Sequence, residues 1–256
     1  MQQDKLTTLY PALDGRLTIL NETGSTNNVV KDMLKNGAHL PVVIARSQTS
    51  GKGRAGRSFG SPPNTGLYLT MGIPPLPDPD LPLTALVGCC VCRGIEQVSR
   101  CTASLKWVND VLILEKKVCG ILCEAGPGGV AIGIGINANT PGDYFKTAEL
   151  PHATSILEAV GTPVDMEALA AVIIGEVDAM SARLGDTAYF TEALGFYRSR
   201  LVTLGREIMV IAADGKQRRG FARNIDERAG LIVDFDGVRE TVDFGDVSVR
   251  GIYGYV

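Results

Sequence analysis

Gln48-Thr49-Ser50-Gly51-Lys52-Gly53-Arg54-Ala55-Gly56-Arg57 runs on into Ser58-Phe59-Gly60-Ser61-Pro62-Pro63-Asn64-Thr65-Gly66-Leu67-Tyr68-Leu69-Thr70. Gly51, Gly53 and Gly56 are interleaved with Lys52, Arg54 and Arg57, between a strand-like run at Val42–Ala45 and a second at Leu67–Met71. Glycine, lacking a Cβ, lets backbone N–H groups approach a ligand closely. The three cations add charge beside those donors. Such a loop between strands suits a polyanion such as a nucleotide phosphate. A solvated basic loop is the plainer reading of the same residues. The block is not a P-loop, since no Gly-Lys-Ser/Thr ends it, and its glycines lack the dinucleotide-binding spacing.

Upstream, Arg16–Leu20 reads as a strand and Val29, Val30, Met33 and Leu34 as one face of a helix. Ser25 or Thr26 is placed to cap that helix. Their hydroxyls then either turn to the helix's own N–H groups or meet a neutral polar ligand. Downstream, the proline-rich Leu76–Leu83 is a loop and Thr84–Val98 is apolar at helical spacing. Ser104–Leu114 carries Lys106, Trp107, Asn109 and Asp110 between two apolar runs, and Asn-Asp there signals a hairpin turn. Glu115-Lys116-Lys117 leads into the strand-like Val118–Glu124, and Gly126–Gly129 is a turn. In Val130–Asn139, the alternation of Gly133 and Gly135 leaves one strand face bare, where a planar group can lie against backbone.

Residues 140–200 are mainly helical, with Thr154-Ser155 and Asp165 as starts and a further helix at Tyr189–Leu201. From Val202 the pattern alternates through Glu207–Ala213, Gln217–Ile225, Leu231–Phe235 and Val238–Phe244, with hairpin signals at Asp214-Gly215 and Asp236-Gly237. These short strands suggest a small barrel.

A length of 256 residues, 45% hydrophobic, suffices for one domain and a small second one. The net charge of −3 gives no bulk field for nucleic acid, so the cationic loop is a local feature. The polar start and the lack of a long apolar run lead us to expect neither a leader nor a membrane-spanning helix. Six cysteines without paired Cys-x-x-Cys units, beside two histidines, read as buried thiols in the cytosol rather than as a zinc site.

The loop resembles the biotin-binding loop of biotin protein ligases, Gly-Arg-Gly-Arg-x-Gly-Arg, with Lys52 in place of the first arginine. The charge is kept but not the planar fork. Ser25-Thr26-Asn27 resembles that family's turn against the biotin ureido ring. Lys106-Trp107-Val108-Asn109-Asp110 resembles Lys-Trp-Pro-Asn-Asp, with Val108 for the proline. Lys117–Glu124 matches Lys-x-x-Gly-Ile-Leu-x-Glu, and Gly133–Asn139 matches Gly-Ile-Gly-Ile-Asn-x-Asn. The five motifs stand in family order over most of residues 20–140.

The resemblance implies an α+β fold. A class II synthetase-like mixed sheet with helices would occupy residues 1–201, and an SH3-like barrel 202–256. It implies the short form of a biotin–[acetyl-CoA-carboxylase] ligase. With ATP and Mg²⁺, biotin becomes biotinyl-AMP, and the biotinyl group passes to a lysine of a biotin carboxyl carrier protein domain. Ser25, Thr26, Gln48, Gly51, Lys52, Lys117 and Gly120 would hold biotin. Arg54, Arg57, Trp107, Asn109 and Asn137 would hold ATP. Lys117, Lys52, Arg54 and Asp110 would act in catalysis, Asp110 either orienting the carrier lysine or joining the metal shell, and the resemblance fixes no further metal ligand. A homodimer is compatible with this reading. A DNA partner is not expected, since only 24 residues precede Ser25. The alternatives are a lipoate or octanoate ligase and a non-catalytic biotin-binding homologue.

Overall fold

A computed structural model describes residues 1–212, 214–243 and 248–251, the last stretch with the side chain of Val249 alone. Seven strands form the main sheet: β1 (Leu17–Leu20), β2 (Val42–Ala45), β3 (Leu67–Ile73), β4 (Ser104–Lys106), β5 (Asp110–Ile113), β6 (Lys116–Gly126) and β7 (Gly129–Ile136). Their order is β1-β2-β3-β7-β6-β5-β4. Only β1 and β2 pair in parallel, and the helix between them, α2 (Thr26–Lys35), is the crossover that a parallel pair needs. The sheet is therefore mixed, as expected.

Alternation along the strands separates two faces. Leu67, Leu69, Met71 and Ile73 of β3, with Val130, Ile132, Ile134 and Ile136 of β7, face the large core. That face is covered by α3 (Leu83–Ser99) and α6 (Met166–Ser181), and α7 (Thr187–Arg200) packs on α3. Asp165 caps α6 by accepting from the N–H groups of Glu167 and Ala168, which confirms the start read from sequence. The N-terminal α1 (Gln3–Leu9), too short for its periodicity to show in sequence, packs on α6. Two short helices, α4 (Gly142–Thr147) and α5 (Ile156–Val160), follow β7, and Ser155 caps α5 through the N–H of Glu158.

The opposite face carries only a small apolar cluster, in which Val30 and Leu34 of α2 pack on Val43 and Ala131. Beyond the N-terminus of α2 this face is open. One row there crosses five strands: Lys106, Asp110, Gly120, Gly135 and Tyr68. The next holds Leu122, Gly133 and Thr70. Glycines where β6 and β7 would otherwise carry side chains leave the hollow that becomes the site.

The C-terminal strands are β8 (Glu207–Ile211), β9 (Gln217–Ile225), β10 (Leu231–Phe235), β11 (Val238–Val242) and β12 (Ser248–Gly251). They pair antiparallel in the order β11-β10-β9-β8-β12, a small β domain with one strand more than the alternation suggested. Phe244 and Ala213, the ends of two expected strands, lie outside the described residues. Asp236 and Gly237 take positive φ of 53° and 89°, the hairpin geometry that Asp-Gly favours. The six cysteines are free, and burial pushes the thiols of Cys90, Cys92 and Cys123 up to about 12. They pack as small apolar side chains.

Candidate active site

The open face holds a cavity of about 460 Å³. Its floor is the glycine row. A Cβ on Gly135 would stand 2.7 Å from the ring of Phe59, and one on Gly133 would strike the side-chain oxygen of Asn27. The bare strand face thus takes planar groups, as the alternation predicts. In this structure they are the chain's own phenyl ring and amide. Gly120 serves differently, since a Cβ there would lie 3.2 Å from Lys117 Nζ. Its lack of a side chain lets the lysine lie along β6 and reach Asp110, where Nζ stands 2.6 Å from Oδ1. Both lysine and aspartate line the cavity.

One end of the cavity is neutral and polar. Ser25 stands at the N-cap of α2 in extended backbone, yet its hydroxyl makes no cap hydrogen bond. The plainer expectation, hydroxyls turned to the helix's own N–H groups, is therefore not met. Instead Gln48 Oε1 accepts from the Thr26 backbone N–H at 2.9 Å and lies 3.1 Å from its hydroxyl. Gln48 Nε2 donates to Ser61 Oγ at 2.9 Å. Ser25, Thr26 and Gln48 all line the cavity.

The cationic loop forms the other wall. Lys52 bridges to Ser58, the Gly53 N–H donates to the Arg57 carbonyl at 2.7 Å, and a tight turn at Arg54–Gly56 joins them. Ala55 and Gly56 take φ of 53° and 71° in that turn. Lys52, Arg54 and Arg57 line the cavity, and Lys52 Nζ also donates to Asn28 Oδ1 at 2.6 Å. Gly51 does not line it. Its carbonyl accepts from the Phe59 N–H at 2.8 Å, and a Cβ there would collide with the Phe59 carbonyl. Gly51 thus packs beneath Phe59 and Ser61 rather than forming the loop's inner surface.

The third wall is the turn between β4 and β5, which confirms the expected hairpin. Trp107, Val108 and Asn109 all line the cavity, and the Trp107–Val108 peptide is cis. Trp107 is 3% exposed, and its indole N–H donates to the Ala229 carbonyl at 2.8 Å. Asn109 Nδ2 donates to the Ile121 carbonyl at 3.1 Å. Asn137 is not brought to the cavity lining; its Nδ2 donates to the Thr154 carbonyl at 3.1 Å, tying β7 to the segment before α5. Beyond the residues expected from sequence, Phe59, Asn27, Lys106, Tyr68, His152 and Val249 also line the cavity. Lys106 and Asn27 fall within two of the matching motifs. Phe59 and Val249 carried no local signal, because their place depends on how distant segments pack.

Cations on one wall, a lysine–aspartate pair on the floor and neutral acceptors at one end suit a ligand with a polar uncharged head and an anionic tail. A model of the biotin/lipoate A/B protein ligase family matches residues 20–140. The chain is similar to the biotin–[acetyl-CoA-carboxylase] ligase of Mycobacterium tuberculosis, 28% identical over 243 residues that cover 91% of this chain and 88% of that protein. It is similar to the same-named ligase of Paracoccus denitrificans, 29% identical over 244 residues, 91% and 100% of the two chains. Among solved structures it resembles biotin protein ligase from Aquifex aeolicus in complex with biotin and ATP, with a TM-score of 0.81 and 26% identity over 93% of this chain and 99% of that one. Five motifs in order, a glycine-floored cavity under a cationic loop, and relatives matched over nearly their whole length agree: the chain matches the biotin/lipoate A/B protein ligase family over residues 20–140 and is similar to biotin protein ligases over most of its length.

Proposed function

We infer that this chain is a biotin protein ligase, which activates biotin with ATP and passes the biotinyl group to a lysine of a biotin carboxyl carrier protein domain. The observation that carries this is the cavity itself, whose lining brings together Lys52, Arg54 and Arg57, the Lys117–Asp110 pair, and Ser25, Thr26 and Gln48 around the glycine floor.

In this reading the ureido head lies at Thr26 and Gln48, and the carboxylate lies towards Lys117 and Lys52. The carboxylate oxygen attacks the α-phosphorus of ATP, an oxygen–phosphorus bond forms, and pyrophosphate leaves. Both reactants are anionic, so cations between them lower the barrier. Arg54 and Arg57 hold phosphate oxygens, and Trp107 and Asn109 flank the nucleotide. The cationic loop shields the mixed anhydride from water. The carrier lysine's amine then attacks the acyl carbon and AMP leaves, with Asp110 placed to orient that amine once Lys117 has turned to phosphate.

Asp110 is the one carboxylate lining the cavity among the described residues, so Mg²⁺ fits here as an ion held chiefly by the nucleotide's own phosphates. When bound, it neutralises charge on those phosphates. The free thiols fit a reducing compartment such as the cytosol.

Exchange of labelled pyrophosphate into ATP, dependent on biotin, tests the first step. A single biotinyl mass increment on a carrier domain tests the second. Exchange driven equally by lipoate or octanoate would favour the lipoate-type alternative, and binding of biotin without exchange would favour a non-catalytic one.

A further inference from the structure

Behind the neutral end of the cavity runs a chain of hydrogen bonds whose direction can be worked out from both ends. Glu124, on β6, does not line the cavity. Its carboxylate accepts from Lys31 Nζ at 2.7 Å and from Asn27 Nδ2 at 2.8 Å. Asn27 Nδ2 also lies 3.2 Å from the Leu122 carbonyl. A carboxylate and a carbonyl can only accept, so the Asn27 amide is fixed with nitrogen towards them and oxygen away. That oxygen, again only an acceptor, lies 2.8 Å from Thr70 Oγ1 and takes the one proton Thr70 has. Thr70 Oγ1 also lies 2.7 Å from Thr26 Oγ1, and with its proton spent it can only accept there.

From the loop side the result is the same. Ser61 Oγ donates to the Phe59 carbonyl at 3.1 Å, so it accepts from Gln48 Nε2. Gln48 Oε1 is therefore turned to Thr26. The Thr26 hydroxyl proton has two acceptors within reach, Thr70 Oγ1 and Gln48 Oε1, and among the described residues no group is left to donate to its oxygen. The reverse polarity would leave the Asn27 oxygen unpaired in a buried site, which costs more than a hydrogen bond is worth.

We propose that Glu124 acts at a distance as a positioning residue: through Asn27 and Thr70 it fixes Thr26 as a hydrogen-bond acceptor towards the ligand, so that this end of the cavity selects a ring N–H such as that of a cyclic urea. The proposal rests on the ligase reading above and deepens it. Partial burial disfavours the Glu124 carboxylate, but the hydrogen bonds from Lys31 and Asn27 outweigh that and hold its pKa below the usual carboxylate value. The anchor is therefore ionised at neutral pH.

Calorimetric titration with biotin, together with steady-state kinetics, tests this on the full chain. Glu124→Leu keeps the bulk and removes both acceptors, and Glu124→Gln keeps a carbonyl for Asn27. The Leu variant should bind biotin about 3–10-fold more weakly, the range of one net hydrogen bond. Its KM for ATP and its kcat at saturating biotin should stay within about 2-fold, inside the uncertainty of such estimates. The Gln variant should recover wild-type affinity. A merely structural role would not separate the two substrates in this way. If circular dichroism shows the Leu variant unfolded, Thr70→Val replaces it, with Thr70→Ser as its rescue. Equal biotin affinity in wild type and the acceptor-free variant overturns the proposal and leaves the ligase reading intact. Wild-type protein that binds no biotin overturns both.

Discussion

Lys117 owes its place to a side chain that is missing. Gly120, three residues on, leaves the space that Nζ occupies, and Asp110 across the sheet fixes the amine over the floor of the cavity. If the lysine serves the bond-forming phosphate, Lys117→Ala should slow biotinyl-AMP formation by ~10²–10³ in single-turnover measurements while changing biotin affinity much less. An unchanged single-turnover rate would remove Lys117 from the adenylation step. Lys117 and Gly120 were both legible in the sequence, because a run of motifs named them. Phe59 was not, since its ring meets Gly135 only after the loop has folded back over the sheet. Glu124 closes a matching motif and Thr70 looks like an ordinary strand residue, but only the folded sheet puts both beside Asn27. Asn137 shows the converse. It sits in a matching motif, yet its amide ties two backbone segments together outside the cavity lining.

Among the elements, the cationic loop sets three like charges close together. Its contacts include the Lys52–Ser58 bridge, the Lys52–Asn28 hydrogen bond and the Phe59 ring on the glycine floor. Gly53 and Gly56 raise its entropy when free. Ligand anions should therefore shift it strongly to the closed state. At 100 times its dissociation constant a ligand contributes ~2.7 kcal/mol, which lowers an open population about 100-fold if only the closed loop binds. Trypsin should cut after Lys52, Arg54 and Arg57 before the rest of the chain, and far more slowly with biotin and Mg-ATP together than with either alone. Equal cleavage in all conditions would sink the shielding role. The regular elements were easier to read than this loop's geometry. The cap at Asp165 and the apolar spacing of α3 speak locally, and α3 was placed within a residue at each end. The seven-residue α1 is too short for periodicity to show, and it forms because α6 is there to pack against.

At the scale of the whole molecule, the two sheets are not independent. Their apolar residues form one continuous cluster, in which Leu201, Ala229 and Leu231 join Leu105, Trp107 and Val108. The turn that walls the cavity is held from the C-terminal side. Thr203 Oγ1 accepts the Trp107 backbone N–H at 3.0 Å, and the Val202 N–H donates to the Leu105 carbonyl at 2.9 Å. Val249 of β12 reaches the cavity lining. Alternation in the last fifty residues announced a second β unit, but nothing local announced that it would support the active-site turn. Such support is a matter of docking and is spread over residues far apart in the chain.

Trp107 is the chain's one tryptophan. With its ring in the cavity wall and its N–H on the turn between β9 and β10, the protein carries its own optical gauge at the joint between the two units. Fluorescence excited at the red edge of absorption then reports a single position without any label. Biotin with ATP should change the emission through the cavity side. Thr203→Val, which takes away the acceptor for the Trp107 backbone N–H, should shift the unliganded spectrum to longer wavelength through the other side. A spectrum indifferent to both would mean that the wall is rigid and that the small sheet only shelters it. A response to both would let each turnover be followed in real time by the light of one indole.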